Sequence, residues 1–247
     1  MATSKIEWTD KTWNPVTGCT KQSEGCRNCY AEVMARRLQG MHKPKYRNGF
    51  ALTLHPNDLE EPMKWRNKSM VFVCSMGDLF HKDVPFEFID QVMNTIAATP
   101  QHRYQILTKR AERMAEYFAT RKAPGNAWLG VTVEDKNTKY RMDYLRNIPA
   151  TIHFLSCEPL LGDLGELVLD GIEWIIVGGE SGVKARPMQE SWVLNVKSQA
   201  NAAKVPFFFK QWGTWSKDGV KSNKHKNGKL LEGKVCQEFP IEKGGWR

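Results

Sequence analysis

The chain has 247 residues, 41% of them hydrophobic, which is enough for one large domain or two small ones without a disulfide framework. No window approaches the roughly 18 apolar residues of a membrane span. The opening stretch has no apolar run of the secretory kind, so the expectation is a cytoplasmic protein with no membrane partner. A formal net charge of +9 favours a polyanionic partner, nucleic acid above all.

In chain order, TWNPVTG (12–18) supplies a first strand and runs directly into GCTKQSEGCRNCYAE (18–32). There Cys19, Cys26 and Cys29 stand at C-x6-C-x2-C spacing. In a reducing compartment, cysteines this close bind metal or do redox chemistry more often than they form bridges. Short apolar runs then recur, each ending in a polar residue: ALTLH (51–55), MVFVCS (70–75), YQILTK (104–109), WLGVTVE (128–134), IHFLSCE (152–158), WIIVGGE (174–180) and PFFFKQ (206–211). Helical periodicity marks 86–99, 110–120, 138–148 and 190–203. Apolar strands alternating with amphipathic helices indicate parallel β/α units. The fold class is therefore α/β, a (β/α)8 TIM-type barrel or a close variant, complete or incomplete. A doubly wound open sheet is the second reading. No G-x-G-x-x-G and no P-loop motif is present. One barrel domain is expected over 1–215, with 216–247 attached as a basic loop or tail. Its SKDGVKSNKHKNGKLLEGK stretch reads as mobile and solvated, or as a contact for a phosphate backbone.

In a β/α barrel the chemistry sits at the carboxyl ends of the strands. The residues closing the apolar runs are His55, Asp78, Lys109, Glu134, Glu158, Glu180 with Ser181, and Lys210 with Gln211. Ionisable groups at so many strand ends point to a shared site, one suited to a small zwitterionic ligand. The glycines of VGGESG (177–182), Gly179 among them, allow a close backbone approach to a ligand or a tight turn. Trp212 and Trp215 either stack on a base or pack against a rim, and Arg186 reaches either a ligand anion or a surface carboxylate.

Three thiolates can hold three irons of a [4Fe–4S] cluster and leave the fourth iron open, or form a structural zinc site with a fourth ligand. The next cysteine or histidine after Cys29 is His42, thirteen positions on. The residues alone leave iron–sulfur and zinc both open. Cys74 and Cys157, inside apolar runs, read as small buried hydrophobes.

A three-cysteine loop after the first strand of a β/α barrel resembles the radical S-adenosylmethionine (radical SAM) superfamily. The commonest spacing there is C-x3-C-x2-C with an aromatic before the last cysteine; here the first gap is longer, and Tyr30 follows. The ordered motifs WTDKTWNPVTGC, GCRNCYAE, MGDLFH, QILTKR, WLGVTVED, SCEPLLG, VGGESG, ARPM and FFFKQWG are similar to those of a family of phage- and prophage-encoded proteins with its own three-cysteine motif, regarded as radical-SAM-like. The resemblance implies a [4Fe–4S] cluster on Cys19, Cys26 and Cys29, an electron donor, and reductive cleavage of S-adenosylmethionine. The resulting radical would abstract hydrogen from a nucleic acid or nucleotide. It implies Glu158 and Glu180 as partners of the amino group or ribose hydroxyls, and Lys109 and Lys210 as partners of a carboxylate or phosphate. Asp78, Glu134, Gly179, Ser181 and Gln211 would be the neighbouring cofactor-binding positions. The alternative is a zinc-stabilised nucleic-acid-binding protein without catalysis.

Overall fold

The computed structural model describes residue 4 and residues 6–242. By its internal contacts the chain divides into two compact units, Met1–Gly130 with Asn147–Thr151, and Val131–Arg146 with Ile152–Arg247.

The first unit contains β1 (Lys11–Trp13), β2 (Val16–Thr17), helix α1 (Tyr30–Gly40), β3 (Thr53–Leu54), β4 (Met70–Val73), α2 (Phe86–Ala98), β5 (Arg103–Thr108) and α3 (Ala111–Phe118). β6 (Ala127–Thr132) begins in this unit and ends in the second. β4 lies parallel to β1, with Trp13 opposite Val73, and parallel to β5, with Val73 opposite Ile106. All four residues of β4 are buried, as an interior parallel strand requires. α2 buries Phe88, Ile89, Val92, Met93 and Ile96, a stripe at helical spacing. α1 was not legible as a helix because its inward face is Ala31 and Ala35, while Val33 and Met34 are exposed. ALTLH does not enter the main sheet: only β3 forms, paired antiparallel with β2, and β1 takes the first place in the sheet.

The second unit holds α4 (Arg141–Arg146), β7 (Ile152–Cys157), β8 (Trp174–Gly178), α5 (Glu190–Ala202), β9 (Phe207–Gln211), a helical turn α6 (Lys224–Asn227), and the antiparallel pair β10 (Leu230–Leu231) and β11 (Lys234–Val235). β8 runs parallel to β7 and β9, with an irregularity at Val177–Gly178 in its register with β9. Much of the lysine-rich stretch is folded: Asn223 caps α6 through its side chain and β10 pairs with β11, and after it residues 236–239 return antiparallel along β9. Phe209 donates its amide to Cys236, Glu238 donates to Phe207, and Phe239 packs on Trp174 and Phe208. The last five residues of the expected tail, 243–247, lie outside the described residues.

The seven strands of the main parallel sheet follow one another in the order β1-β4-β5-β6-β7-β8-β9. That order never reverses, as a doubly wound sheet would. The fold is an incomplete (β/α)8 arrangement.

Candidate functional site

The cysteine loop is fixed at its first residue. Gly18 adopts φ +80°, and a Cβ there would lie 2.2 Å from the Ala51 carbonyl oxygen, so only glycine fits. Its amide donates to Met76 and that of Cys19 to Phe50, which aims the first cysteine. A 3₁₀ turn over Glu24–Cys26 carries the second, and Cys29 sits at the N-cap of α1. The Tyr30 hydroxyl, 2.5 Å from the Ser75 carbonyl oxygen, ties the start of α1 to the loop after β4.

Each of the three sulfurs faces a hydrogen-bond donor. Arg110 Nη1 lies 3.4 Å from Cys19 Sγ, and the Gln22 amide 3.5 Å from Cys26 Sγ. The amides of Glu32 and Ala31, in the first turn of α1, donate to Cys29. Burial, with the Asp78 carboxylate as a second cause, pushes the Cys19 thiol up to about 11, and Arg110 opposes that rise. Burial likewise raises Cys29, against which the two amides and the Lys109 ammonium act. Desolvation thus favours the thiol form of Cys19 and Cys29, while the donors around the three sulfurs suit anionic sulfur bound to a metal. Cys74 and Cys157 are more deeply buried, and burial pushes both to about 12; the Val16 amide opposes that rise at Cys74.

Asp78 organises this region. Its Oδ1 accepts from the Thr108 hydroxyl at 2.7 Å and the Phe80 amide at 3.0 Å; its Oδ2 accepts from Arg110 Nη1 at 2.9 Å and the Lys109 amide at 3.3 Å. Arg110 Nη2 reaches the Thr20 carbonyl and hydroxyl oxygens at 2.9 and 3.0 Å. The Thr20 hydroxyl also pairs with His81 Nε2 at 2.8 Å. Arg110 is the residue sequence reasoning missed. The signal was its place directly after Lys109, at the N-cap of α3, where the chain turns back over the strand end. A cavity of about 370 Å³ opens beside Cys19, lined by Glu32, Arg36, Gln39, Asn48 and Phe50 among others.

The second unit gathers its own strand-end groups. Lys210 Nζ donates to both carboxylate oxygens of Glu158, at 2.7 and 2.8 Å, and Gln211 donates to the Ser181 hydroxyl at 3.2 Å. Gly178 leaves room for Glu158: a Cβ there would lie 3.2 Å from the carboxyl carbon. Gly179 makes a close backbone approach, since a Cβ would fall 1.9 Å from the Trp212 carbonyl oxygen. These glycines serve packing between loops of this unit. Glu180 is held by Arg186 through three bonds, from the amide, Nε and Nη2, at 2.7–3.0 Å. Glu134 is fully buried beside Arg141, 3.5 Å from Nη1. Trp212 is core, its indole donating to Leu230, and Trp215 donates to Ala185.

The structure therefore brings Cys19, Cys26, Cys29, Asp78 and Lys109 into one neighbourhood of the first unit. In the second it brings Glu158 to Lys210 and Ser181 to Gln211. His55 stands apart from the cysteines, bonded to Thr17 in the β2–β3 ladder. Among the described residues, no three Cys, His, Asp or Glu side chains converge as ligands of one ion. A cubane cluster spreads its thiolates over separate irons and needs no such convergence. No helix among the described residues is long and apolar enough to cross a membrane.

The model of a family described as "Protein of unknown function (DUF5131)" matches residues 3–240. The chain belongs to that family. No curated protein matches this DUF5131 chain. Among solved structures it is similar to a cysteine-to-serine mutant of spore photoproduct lyase, at 12% identity and TM-score 0.51, covering 72% of this chain and 58% of that one. It is also similar to spore photoproduct lyase complexed with dinucleoside spore photoproduct, at 10% identity and TM-score 0.52, covering 81% and 63%. The DUF5131 chain thus spans about three fifths of the length of these neighbours. Identities this low show the fold alone, the incomplete (β/α)8 arrangement described above.

Proposed function

We propose that this protein is a radical-SAM-like iron–sulfur enzyme, with a [4Fe–4S] cluster held by Cys19, Cys26 and Cys29. The observation that carries the reading is that each of these sulfurs faces an N–H donor on a loop fixed by the backbone around it. When bound, the cluster would pass one electron, taken from an external donor, to S-adenosylmethionine and so cleave it. The chain's own residues would hold and orient. Arg110, the Gln22 amide and the first turn of α1 would stabilise the negative sulfurs. Lys109 would add a positive charge near Cys29. In the second unit, the partly exposed Glu158–Lys210 pair suits an incoming ammonium and carboxylate or phosphate, with Ser181 and Gln211 as adjacent polar partners. Glu180 enters this reading through Arg186, which it already holds, and Glu134 as a buried support. Gly179 keeps the loop beside them in place.

The substrate class in this reading is a nucleic acid or nucleotide, to be modified or repaired. It is supported by the net charge of +9 and by a neighbouring structure whose ligand is a dinucleoside photoproduct. Purification without oxygen, followed by metal and sulfide analysis, tests the assignment. About four irons and four sulfides per chain are expected, with release of methionine and 5′-deoxyadenosine from S-adenosylmethionine under reduction. Stoichiometric zinc without sulfide would overturn it and leave a zinc-stabilised nucleic-acid-binding protein.

A further inference from the structure

Arg110 is a buried cation whose position is fully determined. Its side chain is 7% exposed, and one nitrogen, Nη1, is shared between the Asp78 carboxylate and Cys19 Sγ. The other terminal nitrogen grips the loop next to that cysteine, at the Thr20 carbonyl and hydroxyl. Asp78 is itself saturated by Thr108, Phe80 and the Lys109 amide, so the guanidinium plane cannot swing. Burying an arginine–aspartate pair gains little stability over apolar packing. Fixing the loop backbone would need only the bonds to Thr20. The remaining bond, to sulfur, is what distinguishes arginine here from any other anchor.

We propose that Arg110 is the positioning residue of the metal centre: it sets the orientation of Cys19 and, through its charge-assisted bond to the sulfur, raises the reduction potential of the cluster held there. This rests on the iron–sulfur reading above. A cation hydrogen-bonded to a ligand sulfur favours the more negative, reduced state, so its removal shifts the potential downward. Because R110Q alone leaves Asp78 buried without its counter-charge, and D78N alone removes a negative charge beside Cys19, the test compares R110Q/D78N with D78N, and R110K with the wild type.

The experiment is a redox titration followed by electron paramagnetic resonance on the full chain, reconstituted without oxygen, with iron content and thermal melting measured in parallel. The double variant is expected to fold and hold iron, but with the reduced-to-oxidised ratio at the D78N midpoint lowered about tenfold, which is about 59 mV for one electron. R110K, which keeps the charge and loses the planar fork, should show a smaller drop from the wild-type midpoint. A double variant that titrates at the D78N potential would show that Arg110 is only a structural anchor. Should it not fold, R110K decides, and an unshifted potential there overturns the proposal. If the wild-type chain assembles no cluster, the iron–sulfur reading itself fails, an outcome distinct from a cluster insensitive to position 110.

Discussion

Two ion pairs stand at strand ends in the two units, and they are built differently. Arg110 and Asp78, after β5 and β4, are 7% and 8% exposed, and the arginine keeps donors for Thr20 and Cys19 beyond its carboxylate. Lys210 and Glu158, on β9 and just after β7, are 18% and 20% exposed, and the ammonium bonds both oxygens of the one carboxylate. The first pair is a bracket: its rigid fork passes order from two strands to the cysteine loop. The second is a contact that a charged ligand can enter, because water already reaches it and each partner can trade the other for a complementary group. Residue type, and not charge alone, decides whether a strand-end pair supports a site or serves as one.

The largest expected effect breaks the first pair's purpose. Cys26→Ala should lower bound iron from about four atoms per chain to near zero. Cys74→Ala, at a buried thiol, should retain it, as metal analysis of anaerobic protein would show. Next, Asp78→Asn should cost about 3–5 kcal/mol in denaturant unfolding, because it strands a buried guanidinium; a cost below about 1 kcal/mol would erase the contrast between the pairs. Glu158→Gln and Lys210→Met should cost no more than about 1 kcal/mol each. Both should weaken binding of S-adenosylmethionine or substrate at least about tenfold by calorimetry. Large destabilisation by both would make that pair structural as well. The smallest effect is expected at Lys224 and Lys226, exposed on α6: serine there should leave stability within about 0.5 kcal/mol. Nucleic-acid binding measured against salt should lose about one unit of slope per lysine removed. An unchanged slope would take this segment out of the interface.

The strand-and-helix alternation was legible because parallel strands buried on both faces must be apolar throughout, as β4, β7 and β8 are. Legibility failed where pattern and packing part company. ALTLH looks like a strand, yet its residues are only partly covered, and two of them pair with β2. α1 packs through two alanines, which leave no apolar stripe to read. The cysteine cluster was evident from spacing, but its most informative partner was not: Arg110 lies one residue past the apolar run, and only the turn into α3 brings it back to Cys19. Glu134 was legible as an ionisable strand end and illegible as a buried one, since Arg141 comes from the following helix. Trp212 was open between stacking on a ligand and packing; its burial and its indole bond to Leu230, within the lysine-rich stretch, settle it as core.

The return of residues 236–239 along β9 bears on where the chain can be cut or joined to another. Without them Phe207 and Phe209 would present their backbone groups along an open border, and Trp174 and Phe208 would lose the ring that covers them. Such a border is a template for other chains. The lysines before it look dispensable, but they are the tether by which this guard reaches its place, so shortening the protein at its most polar stretch would trade solubility for self-association.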